Sequence, residues 1–76
     1  MTAAPAECRI LTALLLQPMD VYTLASCLSV QPMTVRHRVA YLRKTSEVQV
    51  HTASPRHPTT YKLTRKGREW AEELVA

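Results

Sequence analysis

LASCLSVQPMTVRHRVAYL, residues Leu24 to Leu42, holds two helical apolar rhythms with a break between them. Before the break, Val21, Leu24, Ala25 and Leu28 recur at the spacing of one helix face. Asp20 stands just ahead of them, and a carboxylate there can accept from the unpaired N–H groups of the first turn. The spacing predicts a helix over about 21–29. Val30 and Gln31 make the turn, and Pro32 opens a second helix over about 32–45. Proline suits that position because the missing N–H would have no partner there. At about 100° per residue, Val35, Val39 and Leu42 fall within about 60° of one another and form an inward seam. The opposite face carries Met33, His37, Ala40 and Lys44. Arg36 and Arg43 flank it on one side, Thr34 and Tyr41 on the other, and Arg38 lies nearer the core edge.

Upstream, Ile10, Leu11, Leu14 and Leu15 form another helical stripe. They predict a first helix over about 5–16, starting at Pro5 and ended by Gln17-Pro18-Met19, because the residue before a proline avoids the α region. QPMDV at 17–21 echoes QPMTV at 31–35. Two such short copies are one helix-start grammar used twice rather than a repeat architecture. Downstream of Ser46 the period changes to two. Val48, Val50 and Thr52 alternate with Gln49 and His51, ASPRHP at 53–58 forms a turn, and Thr60 to Leu63 returns. These residues predict a hairpin over about 48–63. Thr64 can cap a final helix over about 64–76, with Trp70, Ala71 and Leu74 on its apolar side and Glu69, Glu72 and Glu73 in water. Gly67, the only glycine, falls in its first turn and permits close approach to the hairpin.

The chain has 76 residues, the size of one domain, with little room for both a catalytic cleft and its supporting shell. Its longest apolar run, Ala13 to Leu16, is far short of the ~20 residues of a membrane span. MTAAPAECRI lacks the charged start and apolar stretch of a secretion signal, so a cytoplasmic location is expected. Cys8 and Cys27 do not make a disulfide framework and are expected to be small apolar fillers. With His37, His51 and His57 they show no zinc-ligand spacing. No cofactor, metal or small-molecule ligand is expected. No catalysis is expected either, because no Ser/His/Asp or Cys/His set has a suggestive arrangement.

The net charge of +4 hides an asymmetry. Arg36, Arg38, Arg43, Lys44, Arg56, Lys62, Arg65, Lys66 and Arg68 face a single acid within residues 36–68, Glu47. The two ends of the chain are weakly acidic. A basic block of this kind suits a polyanion partner on one face. A merely solvated surface is the alternative, and the placement of the charges on one helix face favours the polyanion.

The pattern Leu24-Ala25, Leu28, Val30, Thr34-Val35, Arg38-Val39 and Leu42, with the exit YKLTRKGREW from Tyr61 to Trp70, resembles the winged helix-turn-helix of small bacterial and phage transcription regulators. The resemblance spans roughly residues 8–74. Ser29 and Ser46 depart from it, since glycine often stands at those two turns. The fold it implies is α+β, mainly α: three helices, a β-hairpin wing and a C-terminal helix. It implies that the third helix enters the major groove of double-stranded DNA. Arg36 and His37 would then contact base or phosphate, with Gln31 and Thr34 beside them and Met33 against a thymine methyl. Tyr41 and Lys44 would meet phosphate. Arg38 would either reach DNA or brace the domain through an acid such as Asp20. Arg56 and His57, between two prolines at the wing tip, would reach the minor groove. Lys62, Arg65, Lys66 and Arg68 would extend the positive surface. Such readers usually pair as homodimers, here through the first helix or the Trp70 helix. A protein-interaction module and a DNA-binding part of replication or recombination machinery are the competing readings.

Overall fold

A computed structural model describes residues 6–76. The elements, in chain order, are α1 (Ala6–Leu14), β1 (Met19–Asp20), α2 (Val21–Leu28), α3 (Pro32–Lys44), β2 (Val48–Ser54), β3 (His57–Leu63) and α4 (Arg65–Val75). The expected start of α1 at Pro5 lies outside the described residues. Its end comes at Leu14, before the expected Leu16, because the last turn tightens: Leu16 N donates to Ala13 O at 3.1 Å. Leu15 is only half-buried and Leu16 is fully in water, so the core stripe of α1 is Ile10, Leu11 and Leu14.

Met19 and Asp20 form a short strand that the sequence did not suggest. They pair antiparallel with β3, Met19 opposite Tyr61 and Asp20 opposite Thr60. Two residues carry no period to read, and their partner lies far along the chain. Asp20 then caps α2 as expected: its carboxylate accepts from Thr23 N at 2.7 Å and from Thr23 Oγ1 at 3.1 Å.

Both serine turns solve the same geometric problem. Ser29 takes φ 57° after α2 and Ser46 takes φ 67° after α3. The left-handed region normally favours glycine because it crowds a Cβ. The chain adopts it here because the backbone bonds that close each helix need it. Val30 N reaches Ala25 O at 3.1 Å, and Glu47 N reaches Leu42 O at 2.9 Å.

The sheet order is β1-β3-β2. Val48 and Leu63 pair across the root of the wing, and both are buried. The wing turn is tighter than the expected run 53–58. Ser54 stands opposite His57, so only Pro55 and Arg56 lie between the strands. Neither has positive φ, which excludes the primed turns that match strand twist. The register shifts after Val50 and again after Thr52.

α4 is anchored by Thr64, whose hydroxyl accepts from Gly67 N at 3.1 Å and donates to Ser46 O at 2.6 Å. The close approach at Gly67 is real: a Cβ there would stand 2.0 Å from the carbonyl oxygen of Glu47. The apolar side of α4 is only partly covered. Ala71 is buried, but Trp70 and Leu74 remain 40% and 42% exposed. Glu47 is itself buried, with Lys66 Nζ at 3.8 Å from its carboxylate. Among the described residues, no helix is long and apolar enough to cross a membrane.

Candidate nucleic-acid interface

The seam of α3 sets what the helix presents. Val35, Val39 and Leu42 are buried against the other helices. Burying their apolar surface fixes the rotation of the helix about its own axis. Met33, Thr34, Arg36, His37, Ala40, Tyr41 and Lys44 are consequently all exposed. Met33 and Tyr41 are large apolar groups left in water, with 62% and 57% of their surface accessible. At the start of the helix, Gln31 is exposed and makes no side-chain cap, and the first turn holds no acid. The positive end of the helix dipole is therefore not neutralised locally.

The basic side chains fall into distinct groups. Arg36 Nη2 donates to the Tyr22 hydroxyl at 3.4 Å. Tyr22, from the first turn of α2, was not among the sequence candidates, because only the crossing of α2 and α3 brings it there. Arg38 is a brace, but not through Asp20, whose carboxylate is engaged at the α2 cap. Its Nε pairs with Glu7 of α1 at 3.2 Å. Arg9 of α1 also reaches across, donating to Leu28 O at 2.7 Å. α1 thus holds the end of α2 and the middle of α3. Arg43 stacks its guanidinium over the Tyr61 ring, 5.9 Å from the centroid, and links the end of α3 to the wing. Lys44 stays exposed in the last turn.

On the wing, Arg56 sits in the turn and His57 begins β3, both exposed. Lys62 is exposed opposite Gln49. Lys66 departs from the expected positive surface, since its ammonium turns toward Glu47 and donates to Thr45 O at 3.0 Å. Arg65 pairs with Glu69 at 3.3 Å in full solvent, a pairing that contributes little. Arg68 is exposed. Among the described residues, Arg36, Arg43, Lys44, Arg56, Lys62 and Arg68 have no acidic partner.

Cys27 corrects an expectation: it is exposed, because the buried face of α2 is Val21, Leu24 and Ala25. Cys8 is partly buried. Among the described residues, no group of three or more His, Cys, Asp or Glu side chains is placed to hold a metal ion.

The sequence matches no family model and no curated protein. The fold, by contrast, is similar to that of several solved structures. Lactococcus lactis ZitR, wild type in complex with DNA, superimposes with a TM-score of 0.84 at 19% identity, over 99% of this chain and 52% of that one. Adhesin competence repressor (AdcR) from Streptococcus pyogenes gives 0.86 at 21% identity, over 97% of this chain and 56% of that one. The transcriptional repressor BigR from Xylella fastidiosa gives 0.81 at 18% identity, over 96% and 71%. The chain spans about half the length of ZitR and AdcR. Helix order, sheet order and these superpositions together identify the fold as a winged helix-turn-helix.

Proposed function

We infer that this chain is a sequence-specific double-stranded DNA-binding unit of a transcription regulator, with α3 in the major groove and the wing toward the minor groove. One observation carries the reading. The solvent face of α3 is basic and free of acid, while the seam behind it is buried. A helix so held can lay its outer face against base edges and phosphates. The solved complex of ZitR with DNA, and the likeness of the fold to the repressors AdcR and BigR, support it.

Arg36 and His37 are assigned to base edges or the nearest phosphate, with Gln31 and Thr34 at the open helix start and Met33 against a thymine methyl. Tyr41 and Lys44 are assigned to phosphate. Arg56 and His57 reach from the wing. Arg38 keeps a partly exposed guanidinium beside Glu7 and serves first as the brace of α3. The reading involves no catalytic step, and it belongs in a bacterial cytoplasm, on a cellular or phage genome.

Two copies on paired half-sites complete the proposal. The apolar surface of α1 is mostly spent on the core, whereas α4 keeps Trp70 and Leu74 half-exposed. Arg65, Lys66 and Arg68 begin α4, and Glu69, Glu72 and Glu73 follow. An antiparallel pair of such helices about a twofold axis sets basic halves against acidic ones.

The test is selection of bound duplexes from a random pool, followed by footprinting of the selected site. A defined sequence, palindromic for a dimer, is the expected product. Failure to retain any duplex at low salt overturns the reading. So does an affinity that does not change with salt.

A further inference from the structure

Tyr22 has no structural duty that explains a tyrosine. It is the second residue of α2, outside that helix's buried face of Val21, Leu24 and Ala25, and 53% of its surface is accessible. Among the described residues, the one polar contact of its side chain is with Arg36, whose Nη2 donates to the phenol oxygen at 3.4 Å. That contact joins the two helices at the point where the outward face of α3 begins.

The chemistry of the pair is specific. An exposed arginine carries large rotamer entropy, and ordering it on binding weakens the contact it makes. The phenol oxygen takes up one guanidinium N–H and leaves the rest of the planar fork for the O6 and N7 acceptors of a guanine. A tyrosine hydroxyl that accepts still has its own proton to donate. The start of α2 is a poor seat for a phosphate on its backbone alone, because the Asp20 carboxylate already accepts from Thr23 N and sets a negative charge there. The Tyr22 hydroxyl is the side-chain donor that this end of α2 offers to a DNA backbone.

We propose that Tyr22 is a positioning residue for base recognition: its oxygen orients the Arg36 guanidinium while its proton bonds a phosphate oxygen. One side chain thereby couples the register of the domain on the backbone to the reading of one base pair. This rests on the DNA-binding reading above, and Arg36 is the group that touches the base.

The test uses Tyr22→Phe, Arg36→Ala and the double variant beside the unaltered chain, each put through the same duplex selection. Tyr22→Phe removes only an exposed hydroxyl, so the fold is retained. The expected result is the same selected site, with discrimination at one guanine-containing pair reduced roughly tenfold. Preferences at the other positions stay as they were, as does the slope of affinity against salt, because the hydroxyl is uncharged. In the Arg36→Ala background the second change costs no further discrimination at that pair. Unchanged discrimination in Tyr22→Phe overturns the proposal. An equal loss at every position, or a loss that adds in full to that of Arg36→Ala, also overturns it. The unaltered chain separates the two levels: if it selects a site and Tyr22→Phe fails to alter it, only this proposal falls, and if it retains no duplex, the DNA-binding reading falls and takes the proposal with it.

Discussion

Gly67 and Ser46 lie on either side of one tight junction and respond to opposite substitutions. Alanine is normally the better helix residue than glycine, by about 1 kcal/mol. At position 67 the added Cβ would meet backbone, the Glu47 carbonyl oxygen, rather than a side chain that can swing aside. Gly67→Ala is therefore expected to destabilise the fold by about 1–3 kcal/mol, seen as a lower Tm in thermal unfolding. Ser46 strains in the other direction. Its left-handed φ of 67° crowds its own Cβ. Ser46→Gly relieves that crowding, and after glycine's added unfolded-state entropy it should stabilise by about 0.5–1 kcal/mol in denaturant titration. A fall in stability on Ser46→Gly would mean that the turn is held some other way. Gly67 could be singled out in the sequence as the sole glycine in a first turn. The partner it makes room for, Glu47, lies in the connection between α3 and β2 and is visible only in the fold.

The elements act through what they leave unpaired. α3 has its apolar seam buried, and among the described residues its outer face is engaged at the flank, Arg36 by Tyr22 and Arg43 by Tyr61, which suits it to a groove. α1, with no contact to DNA in the proposed arrangement, supports α3 through Glu7 and Arg38 and supports α2 through Arg9. The wing is a short two-stranded element whose turn is Pro55 and Arg56, and Pro55, with its own φ fixed and Ser54 restricted before it, stiffens the turn that presents Arg56. Arg56→Ala is expected to weaken binding severalfold where the site's flank is A·T-rich and less where it is G·C-rich, since the narrow A·T groove attracts arginine more strongly. Fluorescence anisotropy on two duplexes that differ only in the flank checks this. Equal losses on both would place Arg56 on phosphate instead. The wing's limits were readable from the change to a period of two. The tightness of its turn was not, because the Pro-rich run 53–58 is compatible with several loop lengths.

At the scale of the whole molecule, charge and size set how binding must behave. The domain measures 41 × 26 × 21 Å, and one turn of B-DNA is about 34 Å, so a single copy covers about one turn. A site with two half-sites then requires two copies. Sedimentation should show the duplex taking up two chains, whereas uptake of one chain by a palindromic site would remove the paired arrangement. Among the described residues, six basic side chains of the block 36–68 lack an acidic partner. If about five of them meet phosphates, log K should fall with log salt at a slope of about −4.5 per copy. A slope near −1 would leave most of the basic block without a role in DNA contact.

What the amino-acid order determined by itself was everything local. The seam Val35, Val39 and Leu42 and the caps Asp20 and Thr64 depend on neighbours a few residues away, and periodicity and cap chemistry report such neighbours directly. The outward set of α3 follows from the seam, which is why Arg36 and His37 could be placed on the exposed face from the sequence. The fold alone decided which distant groups meet. Met19 and Asp20 become a strand only because β3 lies beside them. Arg38 finds Glu7 rather than Asp20, Glu47 becomes buried beside Lys66, and Tyr22 meets Arg36. Each of these depends on how one element crosses another. That crossing is set by the packing of the whole core, so no window of sequence contains it.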